Sequence, residues 1–149
     1  MSTLAIVLLL LLPFADAQSP LHICGNGVNY NSNSSYHSNL DQLWTTLPNN
    51  ASSNTTLFAT GTAGTAPDTA YALALCRGDI NASACNDCVP TGIQDAQQLC
   101  ALSKDATVYY DSCILHFSNA NFLATIDDDV DLILLKKPIS SQVELALFT

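Results

Sequence analysis

The chain has 149 residues, and its four Lys and Arg stand against 13 Asp and Glu, a formal charge of −9. Arg77, Lys104, Lys136 and Lys137 are its only cations. With no basic patch to neutralise phosphates, a nucleic-acid partner and an anionic membrane surface are both excluded.

Leu4 to Leu12 form an uninterrupted apolar run, Pro13 breaks it, and Ala15-Asp16-Ala17 gives the small-x-small pattern of a signal-peptidase site. A membrane span takes about 20 apolar residues, so the run is too short to be one. Residues 1–17 read as a cleaved secretory signal with Gln18 as the first mature residue, although no Lys or Arg precedes the run. Loss of Asp16 brings −9 to −8. No membrane insertion is expected of the mature chain, because Val130 to Leu135 is short and holds Asp131. The expectation is a secreted, extracellular protein with a single domain over 18–135 and a tail, 136–149, without periodic pattern.

All six cysteines fall between Cys24 and Cys113. An even count at this density behind a signal reads as a disulfide framework. Asn33-Ser34-Ser35, Asn50-Ala51-Ser52, Asn54-Thr55-Thr56 and Asn81-Ala82-Ser83 match the N-glycosylation acceptor, which would place all four asparagines on the surface.

Asn26 to Ser38 is polar and reads as a loop. Asn39 is placed to cap a short helix carrying Leu40, Leu43, Trp44 and Leu47 at helical spacing, with Pro48 as its stop. Asn49 to Thr56 is again loop-like. Leu57 to Thr60 reads as a strand, Gly61 to Pro67 as a turn region, and Thr69 to Cys76 as a second strand. From Asn81 or Ser83 to Cys100 the residues Cys85, Cys88, Val89, Ile93, Ala96 and Leu99 line one helical face. Pro90 either opens a second helical piece there or kinks the helix.

Thr107 to Phe117 reads as one strand. Tyr109, Asp111, Cys113, Leu115 and Phe117 share one face, and Tyr110, Ser112, Ile114, His116 and Ser118 the other. If Cys113 bonds a helical cysteine, the second set looks outward, with Tyr110 on the more open side. Asn121-Phe122-Leu123 and an acidic turn at Asp127–Asp131 still belong to the domain. The fold class is α+β, helices laid over one face of an antiparallel sheet.

Several chemistries are weighed and set aside. Cys85 and Cys88 form a C-x2-C pair but lack the second pair of a zinc site, and a redox role would leave four thiols unexplained. His116 with Asp111 and Ser118 would be a triad on one strand with Asp111 on the wrong face, and no nucleophile elbow occurs. The acidic run at Asp127, Asp128, Asp129 and Asp131 lacks the alternate spacing, central Gly and distant Glu of a calcium loop. Trp44 belongs to the core, not to a sugar platform. No catalytic residue, metal ligand or cofactor is expected.

The triplet Cys76, Cys85 and Cys88, C-x8-C-x2-C, is the most specific motif. Around it stand Phe58-Ala59-Thr60-Gly61, Ala66-Pro67-Asp68-Thr69-Ala70-Tyr71, Leu75-Cys76-Arg77-Gly78-Asp79 and Asp111-Ser112-Cys113-Ile114-Leu115. Over about Cys24 to Leu123 the chain resembles the ginkbilobin-homologous domain, the cysteine-rich module of plant secreted proteins, plasmodesmal proteins and cysteine-rich receptor-like kinases. The resemblance implies two helices packed on one face of a five-stranded antiparallel sheet. It also implies the pairs Cys24–Cys100, Cys76–Cys85 and Cys88–Cys113, where six cysteines alone leave about 15 connectivities open.

Some members bind mannose and inhibit fungi, and for these the resemblance implies a sugar site of Asn, Arg and Glu. Aligned on the cysteines, those positions here are Gly25, Thr107 and Ser118. Arg and Glu would give charge-assisted hydrogen bonds of about 1.5–3 kcal/mol each, which Thr and Ser do not replace. The expected role is therefore a secreted, apoplastic, non-catalytic recognition module in plant defence or stress signalling, whose partner is an extracellular protein or a cell-wall glycan. The alternatives are an antifungal mannose-binding lectin and a truncated ectodomain of a cysteine-rich receptor-like kinase.

Overall fold

The computed structural model describes residues 20–125. The signal at 1–17, the acidic run at 127–131 and the tail at 136–149 lie outside them. The elements in chain order are β1 (Leu21–Cys24), α1 (Ser35–Ser53), β2 (Phe58–Ala63), β3 (Ala70–Cys76), α2 (Ala82–Leu99), β4 (Ala106–Tyr109), β5 (Cys113–Ser118) and a 3-10 turn at Phe122–Thr125. The strands form one sheet in the order β1-β4-β5-β3-β2. All four pairings are antiparallel, and both helices lie over one face.

α1 starts earlier and ends later than its sequence predicts. Ser34, not Asn39, is the cap, and its side chain accepts the N–H of His37 at 3.3 Å. Asn39 lies inside the helix, where its Nδ2 donates to the Asp68 carbonyl at 2.8 Å and ties α1 to the β2–β3 turn. Pro48 does not stop the helix. It is buried inside it, removes one backbone bond and penalises the helix by about 3 kcal/mol. Leu47 and Ala51, 1% and 0% exposed on either side of it, hold the backbone helical, because burying a Leu returns about 1.5–3 kcal/mol. The first turns of the expected Asn49–Thr56 loop are therefore helical.

α2 is one helix through Pro90, and no second piece opens there. Asn81 caps it, accepting the Ala84 N–H at 2.8 Å. The expected strand from Thr107 to Phe117 is two strands. The Tyr110 N–H reaches the Cys113 carbonyl at 2.9 Å, and Asp111 and Ser112 make the turn of a β4–β5 hairpin. The turn resets the alternation, so the helix-facing set is Ala106, Val108, Cys113, Leu115 and Phe117, while Tyr109 crosses to the other face.

The core lies between the layers. α1 supplies Leu40, Leu43, Leu47 and Ala51, and α2 supplies Cys85, Val89, Ile93 and Ala96. They meet Ala70, Ala72 and Ala74 on the central part of the sheet, where short side chains let the helices come close. At Gly61 the approach is tighter still: a Cβ would stand 2.7 Å from Leu43 Cδ2. Trp44 packs edge-on against Phe117 with centroids 5.3 Å apart.

Three disulfides fasten α2 to the sheet: Cys24–Cys100, Cys76–Cys85 and Cys88–Cys113. Every bridge has one end on α2 or on Cys100, its C-terminal cap, and the other ends lie in β1, β3 and β5. The one-turn spacing of Cys85 and Cys88 lets neighbouring positions of one helix reach two different strands. All six sulfurs are consumed in these bonds, leaving no thiolate for zinc or redox exchange.

Candidate functional site

The sequence positions singled out for sugar contact come together at one corner of the sheet, on the face away from the helices. Gly25 follows β1, and its N–H donates to the Asp105 carbonyl at 2.7 Å. Thr107 on β4 stands opposite Ile23 on one side and His116 of β5 on the other. Ser118 ends β5, opposite Tyr71 of β3. Strand pairing brings together residues that are 93 positions apart (118 less 25).

Asp105 is the centre of this corner, and the sequence reading missed it. Its Oδ2 lies 3.6 Å from Nε2 of His116. The facing His116 imidazole is the main influence that holds the carboxyl below the usual carboxylate range. Partial burial opposes that, and a hydrogen bond from Ser118 adds to it. Its backbone is fixed by Ser103, whose hydroxyl donates to the Asp105 carbonyl at 2.7 Å. The legible signal was its place two residues ahead of Thr107, hence on the same face of the strand about to form. Phe122 completes the corner, its ring stacked on His116 at 4.0 Å between centroids.

Gly25 is a consequence of Asp105. A Cβ at position 25 would stand 2.7 Å from Asp105 Cβ and 3.2 Å from its carbonyl oxygen. The Asn that the sugar site requires there does not fit without a backbone shift. Ser118 is 2% exposed, and its Oγ accepts the Ala120 N–H at 3.1 Å. It is a buried structural hydroxyl, where the sequence placed it on the open surface.

The catalytic geometry considered above is not assembled. Asp111 sits in the β4–β5 turn and pairs with Arg77 at 3.2 Å. The Ser118 hydroxyl turns to Asp105 and the Ala120 amide, so it is not aligned for activation by the imidazole. His22 lies on the β1 edge, and His37 lies on α1 beside Asp41 at 3.6 Å. Among the described residues no group of three or more His, Cys, Asp or Glu is placed to hold a metal ion. No helix among them is long and apolar enough to cross a membrane.

The rest of this face also differs from expectation. Register aligns Leu21, Tyr109, Ile114, Leu75 and Phe58 in a row across all five strands. Leu73, Leu75 and Ile114 are 3%, 7% and 7% exposed. Tyr110 is not on the open side: its hydroxyl donates to the Asp95 carboxylate of α2. The chemistry on offer is hydrogen bonding by one carboxylate, one imidazole and the Thr107 hydroxyl beside an aromatic ring, on a mostly apolar sheet face.

The four acceptor asparagines are all exposed. Asn50 and Asn54 stand at the end of α1 and Asn81 at the start of α2. Ser52 Oγ and Asn86 Oδ1, 3.5 Å apart, bring these two helix ends together. Asn33 lies at the opposite end of α1.

A family model for salt stress response/antifungal proteins matches residues 23–120. Cysteine-rich receptor-like protein kinase 10 of Oryza sativa subsp. japonica is 52% identical over 116 residues, 78% of this chain and 18% of that protein. Cysteine-rich receptor-like protein kinase 6 of the same organism is 47% identical over 134 residues, 86% of this chain and 19% of that protein. The chain thus spans under a fifth of the length of these curated relatives. The tandem DUF26 ectodomain of the Arabidopsis thaliana cysteine-rich receptor-like protein PDLP8 shares the fold, with a TM-score of 0.64 at 22% identity, covering 68% of this chain and 48% of that one. By its cysteine framework, its α+β layers and the match over residues 23–120, this chain belongs to the salt stress response/antifungal family.

Proposed function

We propose that the chain is a secreted, non-catalytic recognition module of the plant cell exterior, acting in defence or stress signalling. The observation that carries this reading is 52% identity over 78% of the chain to a receptor-like kinase, joined to a fold shared with a receptor-like ectodomain. Three internal disulfides fit an oxidising compartment, and the apolar leader at 1–17 fits export. Recognition falls to the surfaces around the Asp105–His116 corner, and the ligand is an extracellular protein or a cell-wall glycan. The four acceptor asparagines are proposed as N-glycosylated.

The mannose-lectin alternative is weaker. Gly25 cannot become Asn without moving Asp105, and neither Thr107 nor Ser118 supplies a charge. A second reading, a portion of a receptor-like kinase ectodomain, is favoured by the kinase relatives. Transcript sequence that continues into a membrane span and a kinase would establish it. The primary test is affinity capture by the secreted, glycosylated protein from plant extracellular fluid, with mass spectrometry of what co-elutes. One saturable partner, lost on Asp105→Ala, supports the reading. Retention on mannan that free mannose displaces would overturn it in favour of the lectin.

A further inference from the structure

Among the described residues β2 is an edge strand with an open side. The Cys76 N–H donates to the Leu57 carbonyl at 2.9 Å, which makes Leu57 and Cys76 a bonded pair. In an antiparallel ladder bonded pairs recur every second residue, so Ala59, Gly61 and Ala63 turn their backbone groups to β3. Phe58, Thr60 and Thr62 turn theirs away from the sheet. The Phe58 carbonyl is taken by Asn54 Nδ2 at 3.0 Å. Thr60 and Thr62 are exposed, and among the described residues their four outward backbone groups meet no partner.

Exposed edges are ordinarily blunted by Lys, Pro, a bulge or a covering segment. β2 reads Phe-Ala-Thr-Gly-Thr-Ala, with no charge and no Pro, and its six pairs with β3 run without interruption. Among the described residues the single polar guard is Asn54, which is also the first residue of the acceptor Asn54-Thr55-Thr56.

We propose that β2 is a docking edge for the β2 of a second copy of this chain, and that an N-linked glycan on Asn54 keeps it closed. Antiparallel pairing about a two-fold axis sets Thr60 opposite Thr62 of the second copy and the reverse, closing four backbone bonds. It also juxtaposes threonine side chains, a favourable cross-strand pair. The strand is thus its own complement, and no charged side chain opposes the approach. In glycan transfer from a lipid-linked diphosphate oligosaccharide, a bond forms between sugar C1 and Asn54 Nδ2 as the C1–O bond to the diphosphate breaks. Nδ2 gives up one proton and the lipid diphosphate leaves. The remaining Nδ2–H can still donate to the Phe58 carbonyl, which roots the sugar at the mouth of the edge.

A single-strand interface buries well under about 1,000 Å² and is transient, with a Kd of about 10 μM to 1 mM. Both copies are acidic, so added salt strengthens the pairing by screening repulsion.

The test uses the secreted full chain in three forms: wild type, Thr56→Ala, and Thr56→Ala with Thr60→Lys and Thr62→Lys. Thr56→Ala removes the acceptor but keeps the Asn54 side chain. Disulfide mapping and near-UV circular dichroism establish that all three are folded. Mass spectrometry should find a glycan on Asn54 in the wild type, which sediments as a monomer. Thr56→Ala should dimerise in the stated range, more tightly at high salt, with slowed hydrogen exchange at the Thr60 and Thr62 amides. The lysines should weaken the dimer at least about ten-fold, since like charges then face each other. A Thr56→Ala protein that stays monomeric, or a dimer that survives the lysines, overturns the docking edge. A wild type that is monomeric without a glycan on Asn54 overturns the guard. A basic peptide bound at Thr60 and Thr62, released by salt, with no dimer formed, assigns the edge to a peptide and overturns the second copy as occupant.

Discussion

Gly25 and Asp105 are expected to behave as one unit, and a double-mutant cycle measures it. Gly25→Ala places a Cβ 2.7 Å from Asp105 Cβ, where van der Waals contact requires nearly 4 Å. The obstructing atom is the root of the Asp105 side chain, so no rotamer change clears it. The neighbours resist as well. Gly25 bonds the Asp105 carbonyl at 2.7 Å, and Cys24 beside it is tethered to Cys100. Overpacking of this kind destabilises by about 1–3 kcal/mol, or roughly 4–20 °C in Tm for a domain of this size. Asp105→Gly removes the obstructing Cβ and leaves only the milder 3.2 Å approach to the backbone carbonyl, so adding Gly25→Ala to it should cost clearly less than in the wild type. The coupling between the two changes should exceed about 1 kcal/mol. Urea unfolding read by the fluorescence of Trp44, the only tryptophan, gives all four stabilities. Additive effects, with an unchanged urea slope, would refute the account of why glycine occupies this position. The same cycle with Gly25→Asn asks whether a sugar-site asparagine is admitted only after Asp105 is cut back.

Three other outcomes follow from the geometry. The Cys24–Cys100 bridge spans 76 positions and Cys76–Cys85 spans 9, so chain entropy assigns them about 4.5 and about 2.7 kcal/mol. Replacing the first pair by alanines should lower the urea midpoint more than replacing the second, and the reverse order would show that local packing, not loop closure, dominates. The Asp105 carboxyl is held below its ordinary value by His116 and Ser118. Its contribution is present above the unfolded carboxylate pKa of about 3.9 and is lost as pH falls through the lower folded value. Asp105→Asn should flatten the acid limb of the stability–pH curve, and an unchanged limb in chemical denaturation would refute this. Asn81→Ala should cost α2 about 1 kcal/mol as a lost cap, whereas Ser83→Ala, which removes the same glycan acceptor, should leave unglycosylated protein unchanged in thermal melts.

Local patterns carried much of the architecture. Apolar residues at three- and four-residue steps marked both helices, and alternation marked the strands, because those periods follow from backbone geometry alone. Boundaries failed where a longer-range contact outweighed a local preference. Pro48 is a stop signal in isolation, yet Leu47 and Ala51 are so fully buried against the sheet that the helix continues through it. Asp111 and Ser112 sit inside an alternating run that looks like one strand, and only the Tyr110–Cys113 bond turns it into a hairpin. That turn reversed the facing of Tyr109 and moved Tyr110 against α2.

The sequence by itself determined the cysteine framework, the acidic charge and the two-layer α+β class, since composition and short-range periodicity suffice for these. Gly25, Thr107 and Ser118 became positions of interest only through the family resemblance, by alignment on the cysteines. Only the tertiary structure decided what those positions can do. Strand pairing set Asp105 between them, burial took Ser118 out of solvent, and contact with Asp105 Cβ explained the glycine. The open side of β2 belongs to the same class of fact. Which backbone groups are left without a partner depends on sheet order and register, and these are set by contacts between residues far apart in the chain.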